Sequence, residues 1–187
     1  MGNLNPTLWR TCKMLSGPTR IRLLRQLHQR PGLNVSELGA FVGIKRADAS
    51  QELRRIQSRG LLKSARHGCP LVYSMQPDPQ VASAAPLLKA IEAALKSRPS
   101  ERDLEMCILT HGLAHERRIR IAQALLKSPQ SLADLGPLVN IPAPSLAKHV
   151  RAMIKSGFAI KRNSQIHFSE PRHPLAHALV SLLKQAN

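Results

Sequence analysis

The element order of this chain is decided by residues 34–61, which read NVSELGAFVGIKRADASQELRRIQSRGL. Asn34 precedes the acidic Glu37 by three residues, which is the spacing of a capping box at the start of a helix. Gly43 lies where the left-handed residue that follows a helix is expected. A second helix is predicted from about residue 46 to residue 58, with apolar positions spaced for one buried side. Two helices joined by so short a turn predict a helix-turn-helix.

The segments on either side complete one domain. Helices are predicted over residues 8–15, from Pro18 onward, and over residues 84–96. Gly60 ends the helix-turn-helix, and residues 61–75 then read as a β-hairpin with a basic loop. Helices followed by a hairpin in this order form the winged helix-turn-helix architecture.

The same pattern recurs 97 residues later. Residues 131–158 read SLADLGPLVNIPAPSLAKHVRAMIKSGF, with a capping side chain again at Ser131. A repeat of this length indicates a duplicated structural unit. The sequence therefore predicts a mainly α-helical fold with small β-hairpins, made of two winged helix-turn-helix domains in tandem over residues 1–98 and 99–187. Ser100 is expected to cap the first helix of the second domain.

The chain carries a formal net charge of +17, from 28 Lys and Arg against 11 Asp and Glu. This excess is larger than solubility requires and indicates a polyanionic partner, of which nucleic acid is the first candidate. Divided after Arg98, the two halves carry +11 and +6. The basic surface therefore extends over both predicted domains.

Six stretches carry a resemblance to a known family. In the first copy they are LSGPTRIRLL (15–24), SEL (36–38), SQELR (50–54) and SRGLL (58–62), and in the second PSLAKHVR (144–151) and KSGF (155–158). These stretches resemble the ArsR-like winged-helix repressors of bacteria and archaea. The resemblance implies a transcriptional regulator, most simply a repressor, whose partner is double-stranded DNA.

Members of that family are usually single-domain homodimers, whereas this chain carries two copies. The two copies are therefore expected to pack as an intramolecular pseudo-dimer through their first and last helices, and a homodimer of the whole chain is the alternative. Relatives often bind a metal through paired cysteines in the recognition helix. Residues 46–59 contain neither Cys nor His, so no metal site or other cofactor is expected there.

A recognition helix turns its apolar side inward and leaves the opposite side for the major groove. Ala49, Leu53 and Ile56 define the inner side, which directs the neighbouring basic and amide side chains outward. Base readout is assigned to Arg46, Gln51 and Arg54, since Arg and Gln form bidentate contacts with bases. The full set expected to contact DNA is Arg46, Ser50, Gln51, Arg54, Arg55, Arg66, His67, Lys148, Arg151, Lys155 and Arg162. For any one of these the competing interpretation is a solvated surface side chain.

Sensor and catalytic chemistry have weaker support. His173 and His177 with Glu170 are interpreted as solvent-facing or capping groups rather than as metal ligands. Cys12, Cys69 and Cys107 have no metal-binding spacing and are interpreted as free thiols, with redox sensing as an open alternative. The sequence holds no phosphate-binding glycine loop and no nucleophile motif, so no catalytic residues and no enzyme activity are expected.

No apolar stretch approaches the roughly 20 residues that span a bilayer, and the N-terminus lacks the apolar core of a signal peptide. The sequence therefore predicts a cytoplasmic protein that does not contact membranes. Two other functions stay open beside operator binding. One is architectural DNA binding without base readout, and the other is protein bridging, which the strong positive charge disfavours.

Overall fold

The computed structural model describes residues 7–66 and 70–185, which form two compact units. Unit 1 contains residues 17–104, and unit 2 combines residues 7–16 with residues 105–185. The first helix, α1 (Leu8–Leu15), therefore belongs to the unit built mainly from the second half of the chain. The domain bounds 1–98 and 99–187 stay a prediction about the repeated sequence.

Unit 1 follows the predicted order of helices and hairpin. Its elements are α2 (Pro18–Gln29), α3 (Val35–Val42), α4 (Arg46–Gln57), β1 (Lys63–Arg66), β2 (Leu71–Ser74) and α5 (Ala84–Ser97). The two strands pair antiparallel, with Lys63 opposite Ser74. A 3-10 turn over Ser100–Arg102 leads into α6 (Asp103–His111), whose first two residues still belong to unit 1.

The helix-turn-helix of unit 1 is set by the caps that the sequence predicts. The Asn34 side chain accepts the N–H groups of Ser36 and Glu37, and the Glu37 carboxylate accepts the N–H of Asn34 at 2.7 Å. Gly43 closes α3 with φ of 74°, a conformation that costs glycine little. Both features confirm the predicted start and end of this helix.

The core of unit 1 lies where α2, α3 and α4 pack together. Ala49, Leu53 and Ile56 of α4 are fully buried, as the helical spacing predicts. Gly60 ends the helix-turn-helix with φ of 74°, and a Cβ at this position would lie 2.9 Å from the Cβ of Val81. The chain can therefore turn from α4 toward the hairpin only with glycine at this position.

A buried arginine joins α2 to the end of α5. Arg25 is 5% exposed, and its guanidinium donates to both carboxylate oxygens of Asp103 at 3.0 and 2.5 Å. The same guanidinium donates to the carbonyl oxygens of Leu95 at 2.6 Å and Arg98 at 3.0 Å. All three nitrogen atoms of this buried guanidinium therefore donate to an oxygen, as burial of an ion requires.

The expectation that Ser100 caps the next helix is wrong. The Ser100 hydroxyl donates to the Glu101 carboxylate, and residues 100–102 form the 3-10 turn. Helix α6 begins at Asp103, three residues before the predicted start at Met106. Arg25 holds the Asp103 carboxylate at this helix N-terminus, where negative charge is favourable.

Unit 2 repeats the element order of unit 1 and adds one short strand. Besides α1 and most of α6, its elements are α7 (Glu116–Lys127), β3 (Gln130–Ser131), α8 (Leu132–Val139), α9 (Ala143–Lys155), β4 (Ala159–Arg162), β5 (Gln165–Phe168) and α10 (Pro174–Gln185). The sheet order is β3-β5-β4, with both pairings antiparallel.

The added strand changes the cap of α8. Ser131 lies in β3 opposite Gln165, and its hydroxyl accepts the N–H of Asp134 at 3.1 Å. The Asp134 carboxylate accepts this hydroxyl at 2.6 Å and does not reach back to the backbone N–H of Ser131. The reciprocal capping box predicted for both copies therefore forms only at Asn34. Over residues 7–66 and 70–185, no helix has the length and apolar character that crossing a membrane demands.

Arg25→Ala is expected to lower the free energy of unfolding by about 3–5 kcal/mol, because Asp103 stays buried without its partner. Urea unfolding of the full chain, followed by circular dichroism, measures the change. Replacing both groups by apolar ones, Arg25→Met with Asp103→Leu, is expected to recover part of this loss. Arg54→Ala, at an exposed position of α4, serves as the control and should shift stability by no more than about 0.5 kcal/mol. Similar shifts for Arg25→Ala and Arg54→Ala would contradict the structural role of the clamp.

Candidate nucleic-acid interface

The outer side of α4 carries the side chains that the sequence assigns to base readout. Arg46, Gln51 and Arg54 are all exposed, and Ser50 is half-buried. The buried residues Ala49, Leu53 and Ile56 anchor the opposite side of the helix. The structure therefore presents two guanidinium groups and an amide on the solvent side of one short helix.

Arg55 lies on the same helix but has an acidic partner. Its Nη1 donates to Oε1 of Glu52 at 2.5 Å, while Nη1 of Arg20 on α2 donates to Oε2 at 2.6 Å. The Glu52 side chain is 16% exposed and that of Arg55 is 55% exposed. The Glu52 carboxylate therefore joins Arg55 of α4 to Arg20 of α2.

The hairpin of unit 1 is joined to α4 by a side-chain hydrogen bond. Gln57 Nε2, at the end of α4, donates to Ser64 Oγ on β1 at 3.0 Å. Arg66 is exposed at the end of the same strand. His67 and Cys69, which the sequence places in the hairpin loop, lie outside the described residues.

In unit 2 the exposed side of α9 carries three basic side chains and no acid. Lys148, Arg151 and Lys155 are exposed, and Leu146, Val150 and Met153 are buried on the other side. Helix α9 has the sequence APSLAKHVRAMIK, which contains no acid. These side chains are suited to phosphate contacts, since Lys is a compact point charge without the planar fork of Arg.

The hairpin of unit 2 has a tighter turn than the sequence indicates. Lys161 and Arg162 are exposed residues of β4, and Arg162 is opposite Gln165. The turn itself consists of Asn163 and Ser164, with φ of 45° and 65°. Two-residue turns with positive φ match the twist of the flanking strands, which brings the basic pair to the strand end.

Two imidazoles join the N-terminus of α7 to α9 in unit 2. The rings of His115 and His149 lie 4.6 Å apart between centroids, tilted by 51°. Nδ1 of His115 accepts the N–H of Arg117 at 3.1 Å and so caps α7, while the Arg117 side chain donates to Ser145 Oγ on α9 at 3.4 Å. Sequence reasoning missed this pair, although the repeat offsets place His149 at the position of Glu52.

Burial and nearby positive charge disfavour protonation of these rings. The pKa of His149 is lowered to about 4, first by burial and then by His115, Arg118, Arg117 and Lys148. The pKa of His115 is also lowered, mainly by burial and by Arg118. Both rings are therefore neutral at physiological pH.

Several arginines near these surfaces donate hydrogen bonds to backbone carbonyls of their own unit. Arg22 donates to the carbonyl of Val42 at 3.3 Å, and Arg120, one repeat later, donates to that of Val139 at 3.4 Å. Arg118 is 8% exposed and donates to the carbonyl of His111. These guanidinium groups stabilise helix ends; Arg118 is buried, whereas Arg22 and Arg120 stay exposed and also belong to the basic surface.

The thiols of Cys12 and Cys107 are buried, and two histidines of unit 2 have polar partners within the protein. Cys12 and Cys107 are buried, and burial raises the pKa of Cys12 to about 12 against the opposing effect of Arg118. His173 Nδ1 accepts the N–H of Leu175, and His177 Nδ1 lies 2.9 Å from the Glu170 carboxylate. Across the part of the chain that the structure describes, no three His, Cys, Asp or Glu residues are placed to share a metal.

The folded chain holds His149 with a pKa below its ordinary value of 6.5, so the unfolded chain binds more protons between about pH 6.5 and pH 4. The free energy of unfolding is therefore expected to fall as pH drops through this window, by about 1 kcal/mol after allowance for solvent screening. Urea midpoints at pH 7.5 and pH 5 measure it. His149→Gln should remove this part of the pH dependence, and His28→Gln, in unit 1, should keep it. An unchanged pH dependence in His149→Gln would refute the assignment.

Comparison with known proteins identifies the helix-turn-helix region. Residues 16–69 match the model of the MarR family. HTH-type transcriptional regulator YgaV of Escherichia coli (strain K12) is 33% identical over 64 residues, which are 34% of this chain and 65% of the relative. The chain thus spans just under two thirds of the curated relative that it matches, and no solved structure matches it significantly. Residues 16–69 are therefore similar in sequence to the winged helix-turn-helix of MarR-family regulators.

Proposed function

We propose that this protein is a DNA-binding transcriptional regulator, acting as a repressor. The observation that carries the proposal is the MarR-family match over residues 16–69, within which α4 exposes Arg46, Gln51 and Arg54. Arg and Gln form bidentate contacts with guanine and adenine in the major groove. A helix of this type with these side chains on its outer side is suited to reading duplex DNA.

The charge of each unit supports contact with DNA by both. Residues 17–104 carry 15 Lys and Arg against 7 Asp and Glu, a net +8. Unit 2 carries 13 against 4, a net +9, because α1 brings Arg10 and Lys13 to it. The two halves of the sequence divided after residue 98 differ in net charge, whereas the two folded units carry nearly equal net charges.

The two units would divide the work of binding. In unit 1, Arg46, Gln51 and Arg54 read bases, and Ser50 lies beside a phosphate. In unit 2, Lys148, Arg151 and Lys155 anchor phosphates, which fix the register without carrying sequence information. The hairpins would add backbone contacts through Arg66, His67 and Arg162.

We also infer that the chain is a tandem duplication of an ArsR-like unit that forms an intramolecular pseudo-dimer. The support is the repeated order of helices and hairpin in the two units and the ungapped offset between residues 34–61 and 131–158. The assignment of α1 to unit 2 also supports it, because copy 1 then contributes its first helix to the other unit.

A second candidate function is architectural DNA binding without base readout. The acid-free surface of α9 favours it, since such a surface binds any phosphate backbone. The two candidates differ in one measurable property, which is the preference for one sequence over another.

The full chain is expected to bind the duplex upstream of its own gene at least 10³-fold more tightly than random duplex at physiological salt, as specific regulators do. Arg54→Ala should reduce that preference by about 1–3 kcal/mol, since one base contact is lost. Lys148→Ala should weaken binding to both duplexes equally and reduce the slope of log affinity against log salt by about 0.9. Fluorescence anisotropy from 50 to 300 mM salt measures all three. Equal affinity for both duplexes at every salt concentration would refute operator binding and favour the architectural role.

The pseudo-dimer predicts that one chain suffices for one binding site. Light scattering after gel filtration should give the single-chain mass of 20.6 kDa, and titration with the upstream duplex should end at one chain per site. An obligate dimer in solution would contradict the intramolecular arrangement and leave the homodimer alternative.

A further inference from the structure

The carboxylate of Glu52 lies between two arginines on the DNA-facing side of unit 1. One oxygen accepts from Arg20 at 2.6 Å and the other from Arg55 at 2.5 Å. Arg55 extends from the exposed side of the helix, and its side chain is 55% exposed. Glu52 thus decides whether the Arg55 guanidinium is bound to protein or available to an external anion.

The inner half of this arrangement is rigid. Arg20 and Glu52 have side chains that are only 17% and 16% exposed, and they link α2 to α4. The Arg20 guanidinium lies over Gly17, where a Cβ would come within 2.1 Å of its Nη2. Because Arg20 is packed on both sides, Glu52 keeps its position, and its second oxygen stays directed at Arg55.

We propose that Glu52 is a positioning residue, which holds Arg55 on the helix and so withholds one guanidinium from DNA phosphates. The inference rests on the proposed function of α4. A phosphate contact strengthens binding to every sequence equally, whereas a base contact strengthens only the right one. By removing one general contact and placing a negative charge beside the backbone, Glu52 lowers the affinity for every duplex by about the same factor, so that base contacts supply a larger share of the binding.

Unit 2 lacks this arrangement at the matching positions. One repeat later, His149 occupies the position of Glu52 and Ala152 that of Arg55, and α9 carries no acid. In a helix that contacts phosphates, an acid paired with a basic side chain would weaken binding. The difference between α4 and α9 therefore follows the proposed division between base readout and backbone anchoring.

The test uses Glu52→Gln in the full chain, with anisotropy titrations against the upstream duplex and against random duplex. Affinity for random duplex and affinity for the upstream duplex should both rise several-fold, by about the same factor. The salt slope for both duplexes should steepen by about 0.9, the value for one added phosphate contact. Glu92→Gln on α5 removes the same charge away from α4 and is expected to leave both affinities and the salt slope unchanged.

A second variant separates this role from a structural one. In Glu52→Gln with Arg55→Gln, the salt slope for random duplex should return to the wild-type value, because the released cation is gone. If Glu52→Gln instead weakens binding to both duplexes, or leaves the affinities and the salt slope unchanged, the inference is wrong. If the wild-type chain itself shows no preference, the proposed function fails first, and the inference falls with it.

Discussion

The buried guanidinium of Arg25 is the constraint on which unit 1 depends. An ion taken out of water costs several kcal/mol unless its partners are all in place, so Asp103 and the carbonyls of Leu95 and Arg98 must meet at one point. This requirement fixes where α5 ends and where α6 begins. It also fixes α2, the helix against which α4 packs, so the position of the exposed side chains of α4 depends on a buried charge of another helix.

The elements that could be predicted from the sequence are those with local causes. The capping box at Asn34, the glycine after α3 and the inner side of α4 each depend on residues within one or two helical turns, and the structure confirms them. The ion pair of Arg25 with Asp103 joins residues that are 78 positions apart in the sequence, and no local pattern predicts it. The same holds for the membership of α1 in unit 2, which depends on long-range packing.

The features of the candidate interface also divide into those that local sequence predicts and those that it does not. Helical rotation alone predicted that Arg46, Gln51 and Arg54 are exposed. The contact between His115 and His149 could not be read from one copy, since its partners are on different helices. Aligning the repeat would have revealed it, because an acid in copy 1 is replaced by an imidazole in copy 2. The two units thus share a framework and differ in the chemistry that supports α4 and α9.

Helix α1 also sets the order in which the molecule can be completed during synthesis. Its buried face, with Cys12 and Leu15, packs in unit 2, where α1 contacts α10. About 160 residues separate the two helices, so at roughly 5–20 residues per second α1 waits on the order of 8–30 s for its partner. During that interval unit 1 can fold while an apolar helix stays uncovered at the beginning of the chain. Such a helix is a natural target for chaperones, and its burial marks the moment at which both copies have been made.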